Sequence, residues 1–501
     1  MRQKLVSVLL SVVMTAGVLS GCGSSATSTA SSSDSKAAST AAAASTAAAS
    51  TAAASTAAAS TAAASTAAST TEAAVGSVGA DTTKLDYKGN LSIMHYSTSE
   101  ESQGNGGSDG FRTVIAEWVK DHPDIKVDQQ VLANKDYKTQ IATYAAAGSL
   151  PDVFLLQGMD TKAWAKQGLI VDVTNDLKSS PYASKYNMTY MTPFTDNGKY
   201  YGFPALTGGT CTVITYDSAA WKAAGFDKFP TTWSDVEKAS AYFKKKGVDT
   251  IAFGNGGQWQ AESCFMSVLG DRYTGKQWFQ DLIDKKGSKF TDATQVAALT
   301  ELQRLFTKTS IFNKDFNTVT NEDAREYYIS GAASAFIGGN WDASYIGATL
   351  KSSNPTLYKN TKFAVLPQPT GAKGDTNSQN IGLGYAVAIN SKVASDPAKL
   401  KAAIDFAEYV TGPEFSKYVG NKYALGGFTK SSDVDITKFD QYTQDFYNYT
   451  YVDTTPCEIY DSYISSAVWS VYNTEIQDML NGNKTPTQVA KDTQTAYEKN
   501  Y

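Results

Sequence analysis

The chain has 501 residues, 44 of them Lys or Arg and 49 Asp or Glu, for a formal net charge of −5 with 42% apolar residues. At about 100–200 residues per domain this allows two or three domains with real cores, and the acidic balance argues against a nucleic-acid footprint. The two histidines, His95 and His122, are not four apart, which excludes H-E-x-x-H zinc chemistry, and four cysteines are too few for a disulfide scaffold. No metal or other cofactor is expected.

Arg2 and Lys4 precede an apolar run, Leu5–Leu19, broken only by Ser7, Ser11, Thr15 and Gly17. A positive start and a core shorter than the ~20 residues that span a bilayer describe an export signal. The run ends Leu19-Ser20-Gly21-Cys22, which resembles a bacterial lipobox, so residues 1–21 read as a lipoprotein signal and Cys22 as the lipidation site. The alternatives are an ordinary signal with a chance cysteine or an uncleaved anchor. Removing residues 1–21 deletes two cations and takes the net charge from −5 to −7. Ser24–Ala80 has no aromatic residue and repeats Ala-Ala-Ala-Ser-Thr, so it cannot bury a core. Residues 22–82 form a tether, spanning about 40 Å as a coil. The folded part begins at residue 83.

Leu91–Tyr96 reads as a buried strand; Phe111, Val114, Ile115, Trp118 and Val119 mark one face of a helix stopped at His122-Pro123. Ile125–Val131 is a second strand, Asn134 caps a helix carrying Tyr137, Ile141 and Tyr144, and Asp152–Leu156 is a third strand. This β-α-β-α-β order predicts a parallel, doubly wound sheet. Thr212–Tyr216, Thr250–Phe253, Ala332–Ile337, Lys362–Leu366 and Tyr385–Ile389 are further strand candidates. Ser218–Ala224 is a short helix closed by Gly225, helices follow Thr232 (with Asp235 in capping-box position) and Asp396-Pro397, and two more close the chain around Asn481-Gly482-Asn483. With no clean linker after residue 83, two lobes would have to share crossing strands.

FRTVIAEWVKDHPDIKV (Phe111–Val127), YAAAGSLPDVF (Tyr144–Phe154), PTTWSDV (Pro230–Val236), GAASAFIGGNWDASYI (Gly331–Ile346) and GYAVAIN (Gly384–Asn390) together resemble family 1 extracellular solute-binding proteins, the maltodextrin-binding type of sugar-binding subunit in ABC importers. The resemblance implies an α/β, two-lobe periplasmic-binding-protein-like fold, each lobe a doubly wound sheet flanked by helices and joined by crossing strands. By analogy the first lobe is 83–210 plus 383–430 and the second 211–382 plus 431–501. It also implies an extracytoplasmic, membrane-anchored monomer that binds a carbohydrate and delivers it to permease subunits served by a cytoplasmic ATPase, without catalysis.

A sugar site needs flat aromatic faces for pyranose rings and fixed polar groups for hydroxyls, on loops at the carboxyl ends of strands. Gly338-Gly339-Asn340-Trp341-Asp342 is such a loop: Trp341 offers a stacking platform, Asn340 and Asp342 polar contacts, unless Asp342 merely caps the next helix and Trp341 is core. Trp259, in Gly256-Gly257-Gln258-Trp259-Gln260, has the same logic against lobe-surface packing. Trp469, thirteen residues before Gly482, matches a sugar-stacking position of the family, or is a core aromatic beside Val468 and Tyr472. In the first lobe, Tyr96, Ser97 and Glu100 follow the first strand and Gln157 the third; Tyr385 is hinge core or site wall. Gln157 departs from the aromatic often found nearby in the family.

The Tyr-rich Tyr442–Tyr451 reads as packing, and Gly104-Asn105-Gly106-Gly107…Gly110 sits too far past its strand for a dinucleotide loop. Cys211, Cys264 and Cys457 are one disulfide with a spare thiol, or three buried thiols. The competing function is a surface-anchored glycoside hydrolase, which would need two carboxyl groups about 5–10 Å apart across a cleft; a structural or adhesive surface protein fits the tether but not the α/β pattern.

Overall fold

The structure, a computed structural model, describes residues 85–501 apart from 103, 104, 187, 206–208, 424 and 426–433. The signal segment, the tether and Cys22 lie outside the described residues. Along the chain run β1 (Asn90–His95), α1 (Gly106–Asp121), β2 (Lys126–Val131), α2 (Asn134–Ala146), β3 (Val153–Gln157) and α3 (Gly158–Lys166). Next come β4 (Phe203–Ala205), β5 (Gly209–Thr210), β6 (Val213–Asp217), α4 (Trp233–Lys246), α5 (Ser267–Thr274), α6 (Asn321–Ile329), β7 (Ala335–Gly338) and α7 (Asn340–Ser353). The last part holds β8 (Thr361–Ala364), β9 (Ser378–Gly382), β10 (Tyr385–Ile389), α8 (Pro397–Val410), α9 (Pro413–Tyr423), α10 (Gln441–Tyr451), β11 (Thr455–Cys457), α11 (Ser466–Leu480) and α12 (Pro486–Asn500).

The first lobe is built on a five-stranded sheet, order β2-β1-β3-β10-β4. Its β1, β2 and β3 are parallel, as the β-α-β-α-β order requires, but β10 runs antiparallel to both β3 and β4. The difference from an all-parallel sheet has a simple cause: β10 returns to this sheet from the other lobe and enters from the opposite end. The apolar faces of β1, β3 and β10 meet α1 and α8 in one core, with Trp118, Val114, Leu156 and Ile389 all buried. The glycines that mimicked a dinucleotide loop fall inside α1 from Gly106 onward; a Cβ on Gly110 would sit 2.5 Å from Val419, so glycine lets α1 lie close on α9.

In the second lobe β6 is flanked by β8 and β7, both antiparallel to it. The expected strand Thr250–Phe253 forms only isolated pairs, Ile251 with Phe312 and Ala252 with Phe336. The capping signals at Thr232 and Asp396 hold, and Asp217 caps the short helix after β6, whereas Asn134 does not cap α2: Ala133 is the cap residue and the Asn134 amide donates to Tyr385 Oη at 3.2 Å. Tyr442–Tyr451 is helical packing, with Tyr442, Tyr447 and Tyr449 buried.

A third sheet, β11-β9-β5, lies where the chain passes between lobes: β5 between β4 and β6, β9 between β8 and β10. Thr210, Gln379 and Asn380 are wholly buried there and hydrogen-bond one another, Gln379 Nε2 donating to Thr210 Oγ1. Arg272 on α5 has no exposed surface; its guanidinium donates to the carbonyls of Leu366 and Ser378, each at 3.1 Å, and to Gln368 Oε1 at 3.0 Å. One side chain thus ties together both ends of the segment that leads into β9.

His95 ends β1 and is 1% exposed. Its Nδ1 accepts from the Ser97 N–H, so the ring proton is on Nε2, donated to Gln129 Oε1 at 3.2 Å. Burial lowers its pKa to about 4. The unfolded chain therefore takes up a proton between pH 6.5 and about 4 that the native state refuses, and stability falls as pH drops through that window. The contribution lost is on the order of 2–4 kcal/mol. His95→Asn is expected to flatten the acid side of a melting-temperature profile over that window; a slope equal to wild type would contradict it.

Candidate functional site

The strand–turn–helix at β7–α7 sets the first wall. Gly339 leaves β7 extended, and Asp342, at the third position of α7, accepts the Gly339 N–H at 3.0 Å. The same carboxylate accepts from Asn321 Nδ2 at 2.9 and 3.0 Å and from Arg325 at 3.1 Å, and is 1% exposed. Burial lifts its pKa to about 6 against the pull of Arg325 and Asn321. Trp341 is half-buried, its ring 5.9 Å from that of Trp259 and tilted by 52°. Trp259 rides on a loop that Gln258 enters with φ +70° and pins by donating to Gln477 Oε1 at 2.7 Å. The two indoles make an open aromatic corner on the second lobe.

The first lobe faces it with α2. Lys138 Nζ lies 5.9 Å from the Trp259 ring centre, a cation–π contact between lobes. Behind Lys138, Tyr96, Tyr137 and Tyr385 form a ring cluster with centres 4.9–6.2 Å apart, anchored by Tyr137 Oη donating to the Leu155 carbonyl at 2.6 Å.

Three carboxyl groups interact with the Lys138 charge through space. Asp160, in the first turn of α3, is pushed up by burial to a pKa of about 6, with Ser466 and Lys138 pulling it back. Asp461 accepts from Ser263 Oγ at 2.7 Å, and Glu262 Oε2 lies 3.2 Å from that same oxygen. Glu262 is 0% exposed, and burial followed by the charge of Asp461 pushes its pKa well up. For Lys138, burial works against the charged form, but Tyr385, Asp461, Cys211 and Glu262 together raise its pKa. Gly158 permits the approach of the lobes here: a Cβ would lie 2.3 Å from the Ser462 carbonyl.

The structure thus brings Trp341, Trp259, Tyr96 and Tyr385 to one region and corrects other expectations. Trp469 is 2% exposed, packed against Tyr460, Phe290 and Tyr472 inside the second core, so it is the core aromatic and not a platform. Asp342 is a cap and buried ion pair with its acceptors already engaged. Ser97 is wholly buried, acting through its backbone: its carbonyl accepts from Arg112 at 3.1 Å. Glu100 is exposed on the turn Ser99–Ser102, Gln157 is half-buried at the start of α3 opposite Tyr385, and Asn340 is packed against Gly209 of β5. Cys211, Cys264 and Cys457 are free thiols.

The profile of the bacterial extracellular solute-binding proteins matches residues 104–416. The chain belongs to that family. It is 25% identical over 370 residues to the diacetylchitobiose binding protein DasA of Streptomyces coelicolor, covering 67% of this chain and 76% of that one. It is 24% identical over 377 residues to a "probable sugar-binding periplasmic protein" of Brucella suis biovar 1, covering 72% and 79%. Among solved structures, a chitin oligosaccharide binding protein superposes with a TM-score of 0.72 at 20% identity, over 82% of this chain and 98% of that one. The family's two-lobe fold is the fold described above, and no helix among the described residues is long and apolar enough to cross a membrane.

Lys138, Asp160, Glu262, Ser263 and Asp461 were not foreseen. Asp160 carried a signal, since it opens the helix directly after β3, and Glu262 follows the Trp259 loop by three residues. Asp461 carried none, because the crossing strand β11 before it has no alternating pattern. Trp469→Ala is expected to cost about 3–5 kcal/mol of stability, read as a clear drop in melting temperature. The folded fraction of that variant should keep wild-type ligand affinity.

Proposed function

We propose that this protein is the carbohydrate-binding subunit of an ABC importer, capturing an oligosaccharide between its lobes and presenting it to permease subunits served by a cytoplasmic ATPase. The observation that carries the reading is the aromatic corner of Trp259 and Trp341 facing polar groups of the other lobe, the pairing of surfaces a pyranose needs. Tyr96 and Tyr385 back the first-lobe side, with Gln157 opposite Tyr385. Sugars named for its relatives, chitobiose and chitin oligosaccharides, are consistent with this chemistry. Ligand favours the conformer in which both lobes touch it, and the shift is bounded by the difference in affinity between conformers. Lipidation at Cys22 and the Ala/Ser/Thr-rich tether would hold the monomer at the outer face of the membrane.

The hydrolase alternative draws on the pairing of Glu262 and Asp461 through Ser263. Full burial of Glu262 favours binding over catalysis, because a sealed carboxyl cannot protonate a glycosidic oxygen. Incubation with oligosaccharides that yields no shorter products is the expected result.

Trp341→Ala is expected to remove ring contacts worth roughly 2–4 kcal/mol, about 30- to 1000-fold in affinity by calorimetric titration. Its unliganded melting temperature should stay within a few degrees of wild type; a large drop with normal binding would move Trp341 into the core. Cys22→Ala is expected to release the protein from the membrane fraction in soluble form, and retention at wild-type levels would count against the lipid anchor.

A further inference from the structure

Trp259 stands on a loop, residues 256–260, whose path is fixed from behind by a chain of side-chain amides. Asn255, wholly buried, closes both ends of that loop: its Oδ1 accepts the Ala261 N–H at 3.0 Å, and its Nδ2 donates to Asn317 Oδ1 at 2.7 Å. Asn317 donates in turn to the Gln477 carbonyl at 3.0 Å and to Asn481 Oδ1 at 2.8 Å, at the carboxyl end of α11. Gln477 answers with its own side chain. Its Nε2 donates to the carbonyls of Asn255 and Asn317, at 3.3 and 3.2 Å, and its Oε1 accepts from Gln258 Nε2 at 2.7 Å. That last bond holds the residue directly before Trp259. Gln258 sits at φ +70°, in the left-handed region that favours glycine, so the loop keeps a side chain where bare backbone would be less strained. A Cβ on Gly256 would lie 2.6 Å from the Thr318 carbonyl oxygen, and one on Gly257 3.1 Å from the Trp259 indole nitrogen. The loop is therefore pressed against its base, with the ring lying back over it.

We infer that Gln477 is a positioning residue for the saccharide platform: through Gln258 it holds the Trp259 ring in the orientation on which a pyranose stacks, before any ligand arrives. The inference rests on the carbohydrate reading above and adds to it a residue that no sugar need touch. A platform fixed in advance loses less freedom on binding than one that must first be ordered, and the difference appears as affinity. One amide does this because it has both kinds of group, two N–H donors for the backbone under the loop and an oxygen for Gln258. Methionine has nearly the length of glutamine and neither function, so it removes the three bonds while keeping the volume.

The test uses the full-length protein and, as probe, the tightest binder from a panel of malto-, cello- and chito-trioses, with calorimetric titration and a melting curve for every variant. Gln477→Met and Gln258→Gly are each expected to weaken binding roughly three- to tenfold. Gln258→Gly should nevertheless melt within a few degrees of wild type, because glycine takes φ +70° without strain. Affinity and stability then part company, which a merely structural role would not produce. In a Trp259→Ala background, itself weaker than wild type, Gln477→Met should cause no further loss, since it acts only through the ring. Should Gln477→Met fail to fold, Gln258→Gly in the two backgrounds decides. Wild-type affinity in the folded variants, or an equal loss with and without Trp259, would overturn the inference and leave the carbohydrate reading intact. Wild-type affinity in Trp259→Ala would take that ring out of the site and overturn the inference as well. Binding of no triose by wild type would remove the carbohydrate reading and this inference with it.

Discussion

A guanidinium without access to water must find its acceptors in the protein, and Arg272 finds them for its two terminal nitrogens on the segment that leads from one lobe to the other, while its Nε stays without a partner among the described residues. Its bonds to the carbonyls of Leu366 and Ser378 span the segment between β8 and β9. A buried cation with several oriented acceptors is costly to leave unpaired, so the segment is held in one path. Strand β9 then lies between β11 and β5, and Gln379 and Asn380 bind Thr210 in the other crossing strand. This small sheet helps set the relative placement of the lobes, together with second-lobe residues such as Val213, Ala343, Phe446 and Tyr449 that pack into the first core.

What the crossing sheet places is a cleft whose groups come from distant parts of the chain. Lys138 and Asp160 belong to helices of the first lobe; Trp341 belongs to the first turn of α7, Trp259 to a loop, and Glu262 and Asp461 to short helical turns of the second. None of these residues forms a site within its own lobe. Asn380 also ties the crossing strand to the cleft directly, since its amide donates to the Ser263 carbonyl at 2.7 Å. The hinge and the polar centre therefore share a residue's backbone, and a shift of β9 reaches the Ser263 hydroxyl that partners Asp461.

The contrast between Trp341 and Trp469 shows how far local pattern reaches. Trp341 sits between a glycine pair and a capping aspartate, at the carboxyl end of a strand, and that context fixes its position at a loop mouth without further information. Trp469 sits on an amphipathic helix, where a tryptophan can face either the cleft or the core; its burial among Phe290, Tyr460 and Tyr472 depends on helices far away in sequence. Asp342 was readable as a cap from its spacing to Gly339, but Arg325 and Asn321, which make it a buried ion pair, come from another helix.

From residue types and spacing alone came the first three strands with their helices, the caps at Thr232 and Asp396, the two closing helices and the strand–turn–helix that carries Trp341. These rest on periodicity, capping chemistry and composition, all of which act over a few residues. Only the tertiary structure decided the antiparallel entry of β10, the crossing strands, and the placing of Lys138 over the Trp259 ring across the lobes. Short buried strands and single charged residues have no local signature, because their partners are set by long-range backbone pairing and by which lobe each side chain faces across the cleft.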